Sequence, residues 1–123
     1  MHKPGEVVLF WSSSAGKEKF HLCVSLAGRY LYLNSPKVRV YEGDLSLPCS
    51  DFPFLDPTPS GQSIVCCTLV LAPTADELKG HRMELKGTVG ADVLMKIVEF
   101  VESSDVIADE ERDVILDGLG NWL

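Results

Sequence analysis

The chain is short of positive charge. Its 123 residues carry 11 Lys and Arg against 18 Asp and Glu, a formal net charge of −7. A broad basic surface for nucleic acid is therefore not expected, because phosphate binding is carried by Lys and Arg. Long apolar runs are missing too, so no transmembrane helix and no membrane partner is expected. The stretch Met1 to Glu6 lacks the apolar core of a secretory signal, and the expected location is cytoplasmic. No Cys-x-x-Cys pair occurs, which argues against a zinc site of the usual spacing. Gly16-Lys17 is too little for a phosphate loop, which needs its full glycine pattern. No internal repeat and no linker is visible. Neither a cofactor nor a metal is expected.

What is present is a chain able to fold. Hydrophobic residues make up 46% and are spread along most of its length, which rules against disorder. The size fits one domain over residues 1–123. Cys23, Cys66 and Cys67 lie in apolar, strand-like runs, and Cys49 follows Pro48 in a loop. Neighbours on a strand point to opposite faces, so a Cys66–Cys67 disulfide is not expected. Buried, reduced thiols are.

The charge is uneven. Residues 1–50 hold six of the eleven cations (Lys3, Lys17, Lys19, Arg29, Lys37 and Arg39), whereas residues 99–117 hold eight acids against the single Arg112. A neutral-to-basic sheet with an acidic tail leaves room for local RNA binding. The tail itself reads as a solvated face.

Periodicity supplies the elements. Gly5 to Trp11 reads as a strand, followed by a loop from Ser12 to Lys17. Lys19 to Ala27 reads as a second strand, with Phe20, Leu22, Val24 and Leu26 on one face and Lys19, His21, Cys23 and Ser25 on the other. A tight turn at Ala27-Gly28-Arg29 leads to a third strand, Tyr30 to Asn34. Val38 to Tyr41 is a short fourth candidate. From Leu47 to Gly61, prolines and glycines forbid regular structure, while Phe52, Phe54 and Leu55 give the loop apolar anchors. Gln62 to Leu71 reads as a long central strand, apolar on both faces.

Helices finish the chain. Thr74-Ala75-Asp76-Glu77 is a capping box opening a short helix that Gly80 stops. Thr88 is placed to cap the next, in which Val93, Leu94, Ile97, Val98 and Val101 recur on one face. Asp109 to Leu116 reads as a last helix with acids in its first turn. The expected class is mainly β with C-terminal helices, a small curved antiparallel β-barrel.

Specific segments then stand out. Gly5-Glu6-Val7-Val8-Leu9-Phe10, a glycine-bearing loop and the run Lys19 to Ser25 resemble the opening of the MazF/PemK (Kid) toxins. Leu85-Lys86-Gly87-Thr88-Val89, followed by Leu94 and Ile97, looks like that family's closing signature of a glycine before a helix. Gly61 to Val65 falls where the family has its central strand. The resemblance implies a toxin of a toxin–antitoxin pair: a homodimeric endoribonuclease that cuts single-stranded RNA without a metal and is neutralised by an antitoxin protein. Lys19 stands where the family has an Arg, Phe20 where it has a Pro, and Ser35 nearest its Thr or Ser after the third strand. Lys keeps the charge but not the bidentate fork that grips a phosphate.

Such cleavage needs a base, an acid and a cation at one phosphate. Lys19, His21 and Ser35 are the catalytic candidates, with His21 on the same strand face as Lys19 and two residues along. As an ordinary residue, His21 would be a polar group on the outer face of the sheet. Lys17, Arg29, Tyr30 and Tyr32 are the RNA-binding candidates, the two tyrosines sharing a face on which bases stack. The competing reading is a catalytically inactive member of the same fold that binds protein, with an exposed apolar patch around Phe52, Phe54 and Trp122. An unrelated small barrel in a structural role is a third. Convergence of Lys19, His21 and Ser35 in one groove would separate the first from the others.

Overall fold

A computed structural model of the protein describes residues 2–36, 40–79 and 83–123. Six strands form one antiparallel sheet: β1 (Glu6–Ser12), β2 (Lys17–Ser25), β3 (Arg29–Asn34), β4 (Asp44–Pro48), β5 (Gln62–Cys66) and β6 (Glu84–Thr88). Their order is β4-β5-β3-β2-β1-β6. The sheet is open, with β4 and β6 at its edges. Three helices accompany it: α1 (Ala75–Leu78), α2 (Ala91–Ser103) and α3 (Asp109–Trp122). The mainly β class with C-terminal helices is as expected from the sequence.

The meander β1-β2-β3 is the frame. Val7 faces Leu22 and Phe10 faces Lys19 across the first ladder, and Leu22 faces Leu31 across the second. The alternation that defines these strands sorts their side chains into two layers. One layer holds Val7, Leu22, Val24, Leu31, Leu33 and Val65, against which α2 sets Val93, Leu94, Ile97 and Val101 and α3 sets Ile115 and Leu119. The other holds Val8, Phe10, Cys23 and Tyr30, with Leu71 and Leu78 packed over them. Both faces of the central strands are therefore covered.

Several expected boundaries move. The strand from Gln62 breaks after Cys66. Val65 pairs with Leu33, yet the next contact with β3 is the bridge Tyr30–Leu71, three positions along one side and six along the other. The excess residues form a bulge whose Cys67 is buried in the core, and Val70 N–H donates to the Glu111 carboxylate of α3 at 2.7 Å. β5 is also next to an edge strand and not at the centre. Thr88 ends β6, and Gly90 is the N-cap of α2. β6 itself replaces the expected run from Gly87 directly into a helix. Its Gly87 lies under the Phe54 ring, where any Cβ would overlap that ring. β4 covers Asp44 to Pro48, part of which reads as irregular in the sequence. Val38 of the expected fourth strand lies outside the described residues, and Val40 and Tyr41 are irregular. Gly80, expected to stop α1, also lies outside them. The capping box of α1 forms as expected, with Thr74 Oγ1 accepting from Glu77 N–H at 3.2 Å.

The C-terminal helices dock by two specific devices. Gly118 of α3 lies against β2, and a Cβ there would overlap the Val24 carbonyl oxygen and come within 2.8 Å of Ser25 Cβ. Arg112, the only cation of the acidic tail, reaches back to the C-terminal end of α2. Its guanidinium donates to the Ser104 carbonyl and, at 3.3 Å, to the Val101 carbonyl. A cation on the unsatisfied carbonyls of a helix end offsets both their lost hydrogen bonds and the dipole. Among the described residues, no helix is long and apolar enough to cross a membrane.

Candidate functional site

Several expected site residues meet in an open groove of about 700 Å³. It lies where β2 begins and β3 ends. Lys17, Glu18 and Lys19 enter from β2, and Asn34 and Ser35 from the end of β3. Leu9, Phe20, Leu33 and Ile64 supply apolar walls, and Tyr41 and Asp44 close the far side. A shallower depression of about 360 Å³, lined by Leu9, Glu18, Met83 and Glu84, shares Leu9 and Glu18 with it.

Lys19 is held by its surroundings. Its ammonium donates to the Asn34 side-chain carbonyl and stands 5.0 Å from the centroid of the Tyr32 ring. A cation over an aromatic face is attracted by the ring quadrupole. Ser35 follows β3 and is exposed. Lys17, Lys19 and Ser35 thus share one groove, two cations and one hydroxyl from two strands. Glu18 and Asp44 are the acidic residues that also line it. Sequence reasoning missed Glu18, Asn34, Asp44 and Tyr41 as groove residues. The first two were visible as immediate neighbours of Lys19 and Ser35, whereas Asp44 and Tyr41 come in only through tertiary pairing of β4 with β5.

His21 is not in this groove. It is 1% exposed, stacked on Phe10 with ring centroids 3.7 Å apart and planes within 10°. Its Nδ1–H donates to the Lys19 carbonyl at 2.8 Å. It lines a separate, small cavity of about 60 Å³ with Ser12, Leu71, Pro73 and Glu77 among its neighbours. Burial lowers its pKa to about 4, which the Lys19 backbone bond only partly opposes. The outward polar placement expected for His21 is corrected here. The bulge after β5 and the α1 segment cover its face of the sheet.

The tyrosines are buried as well. Tyr30 is 1% exposed and its hydroxyl bonds His2 Nδ1 at 2.5 Å. The Tyr32 hydroxyl bonds Ser12 Oγ at 2.5 Å, also in the interior. Neither ring offers an open face for a base. Arg29 sits at the opposite end of the β2–β3 hairpin, donating to the Ala27 carbonyl at 2.9 Å, away from the groove. The expected patch of Phe52, Phe54 and Trp122 does not assemble. Phe52 is buried, Phe54 covers Gly87, and Trp122 ends α3.

All four cysteines are free thiols, Cys23 and Cys67 buried, Cys49 and Cys66 half-buried. Burial raises Cys23 to about 11 and Cys67 to about 12, so neither is a nucleophile at neutral pH. Cys49 is lowered, chiefly by hydrogen bonding to the Thr58 side chain and backbone. It belongs to the single-turn 3-10 helix Cys49–Asp51 and lines neither depression.

No protein-family model matches this sequence, and no curated protein matches it.

Proposed function

We propose that this chain is a toxin-fold protein of the MazF/PemK type, its curved sheet an open form of that barrel, and that it binds single-stranded RNA in the groove and cleaves it without a metal. In this reading it acts as a homodimer and is held in check by an antitoxin protein. The observation that carries the reading is the meeting of Lys19 and Ser35. These two positions, singled out by resemblance, come from the start of β2 and from just past the end of β3, and line the same groove as Lys17.

The chemistry follows from the groove's own residues. Glu18 takes the proton of a 2′-hydroxyl as general base. The freed oxygen attacks the adjacent phosphorus, a 2′,3′-cyclic phosphate forms, and the 5′-oxygen leaves and takes a proton from solvent. Lys19, backed by Lys17, stabilises the charge that builds on the phosphate, and the Ser35 hydroxyl donates to it. Two Lys contacts and an acidic protein make weak, salt-sensitive binding. For two phosphate contacts on a single strand, the slope of log affinity against log salt is about −1.4.

A second reading, a catalytically inactive binding module for protein, is favoured by the withdrawal of His21 from the groove and by the net charge of −7. One assay separates the two: a long single-stranded RNA incubated with micromolar protein and chelator at low salt. Cleavage that Lys19→Ala and Ser35→Ala each reduce supports the enzyme. Intact RNA leaves the binding module.

A further inference from the structure

We propose that Asn34 is a positioning residue for Lys19, holding its ammonium over the Tyr32 ring so that it meets a bound phosphate in one fixed place. This rests on the reading of the groove as an RNA site. A lysine is a point charge on a flexible four-carbon stem, without the preset fork of an arginine. As a phosphate contact it gains from any partner that orders the stem beforehand.

The sheet supplies that partner by register. Phe20 of β2 pairs with Leu33 of β3, so the next step along each strand sets Lys19 against Asn34. The Lys19 ammonium donates to Asn34 Oδ1. Tyr32 lies two residues before Asn34 on the same strand face. Its ring is the floor under the ammonium, 5.0 Å away at the centroid. That floor is itself fixed. The Tyr32 hydroxyl bonds Ser12 Oγ at 2.5 Å, and Ser12 Oγ accepts from Ala15 N–H at 3.2 Å, which ties the ring to the β1–β2 loop. The His21 ring packs beside it, centroids 5.2 Å apart. Tyr32, Ser12 and His21 are all buried. The side chains that the groove does not use directly thus hold the surface on which Lys19 rests.

The neutrality of the partner matters. A carboxylate at position 34 would hold the ammonium more strongly, but it would offset its charge and repel a phosphate. An amide oxygen orients the ammonium and leaves its charge to the phosphate. An ammonium has three N–H donors, so one bond to Asn34 is compatible with another to phosphate. Asn34 lines the groove beside Ser35, which places the clamp at the groove wall.

The test is a double-mutant cycle read by binding of a fluorescent single-stranded oligonucleotide at low salt. Its members are wild type, Asn34→Ala, Lys19→Ala and the double variant. Asn34→Leu, close to asparagine in shape and without an acceptor, is a second substitution in both backgrounds, and urea denaturation checks that each protein is folded. Each Asn34 variant should weaken binding about 2- to 12-fold, the cost of ordering one long side chain. Neither should change binding once Lys19 is alanine. A role for Asn34 in the fold alone would weaken binding equally in both backgrounds. That result overturns the positioning role while the RNA reading stands, as does binding that Asn34→Ala and Asn34→Leu leave unchanged. Oligonucleotide binding that Lys19→Ala does not weaken overturns it too. No oligonucleotide binding by the wild type overturns the RNA reading and the positioning role together.

Discussion

The imidazole of His21 lies flat on the ring of Phe10, 3.7 Å between centroids, with the Tyr30 ring edge-on to both. This stack fills the layer of the sheet opposite α2 and α3. It explains why a histidine two residues from Lys19 on the same strand face takes no part in the groove. Lys19 sits at the strand's open end, while His21 is one step further under the cover of Leu71 and the α1 segment. Its ring accepts burial because Nδ1–H finds a backbone carbonyl and the faces find aromatic partners.

That burial makes acid destabilising. The folded His21 titrates near 4, below the ordinary 6.5. Between these values the unfolded chain binds the proton and the folded one does not, so stability falls as pH drops from about 6.5 and the loss is complete near 4. A shift of this size corresponds to about 3 kcal/mol at most. Carboxylates titrate in part of the same window, so the measure is a difference. Urea denaturation of wild type and His21→Phe at pH 7.5 and pH 4.5 should show a smaller acid loss in the variant. Equal losses would mean that His21 is not buried as a neutral ring.

Gly118 and Gly120 of α3 make a paired test. Alanine favours a helix interior over glycine by about 1 kcal/mol. At Gly120, where a Cβ meets nothing within 4 Å, Gly120→Ala should be neutral or stabilising. At Gly118 the Val24 carbonyl blocks the Cβ, and Gly118→Ala should cost about 1–3 kcal/mol through displaced packing. Chemical denaturation of the two variants reads the contrast. Similar stabilities would show that α3 does not approach β2 this closely.

Arg112 is expected to matter through carbonyls more than through charge pairing. Its ion pair with Asp109, at 3.1 Å, involves a carboxylate that is 92% exposed, and such pairs contribute little. Arg112→Ala should therefore destabilise by about 1–2 kcal/mol, whereas Asp109→Asn should change stability by less than about 0.5 kcal/mol. Thermal unfolding of both variants decides between the two contributions.

The sequence made some of this fold visible and hid other parts for physical reasons. The meander was legible because Val7 to Trp11 and Phe20 to Leu26 combine strand-forming residues with clear alternation. α2 was legible from its apolar spacing, and α1 from its capping box. β6 was hidden because Glu84-Leu85-Lys86-Gly87-Thr88 has little apolar content of its own. Its inner surface is completed by Phe54, some thirty residues earlier. β4 was hidden as a short edge strand that ends at Pro48. The break after Cys66 depends on Gly43 and Glu111, distant partners that no local pattern reports. In the site, Lys19 and Ser35 could be paired from strand connectivity. The burial of His21, Tyr30 and Tyr32 could not, because it depends on a cover supplied by Leu71 and Leu78.

The groove's function is tested most directly by cleavage of a long single-stranded RNA at low salt with chelator, comparing wild type with Lys19→Ala, Ser35→Ala, Glu18→Gln and His21→Phe. The account predicts slow cleavage by the wild type. It also predicts a loss of at least about tenfold in the first three variants, each removing charge stabilisation, a donor or the base, and near-wild-type cleavage by folded His21→Phe. Intact RNA with the wild-type protein, or cleavage that Lys19→Ala, Ser35→Ala and Glu18→Gln leave unchanged, would contradict it.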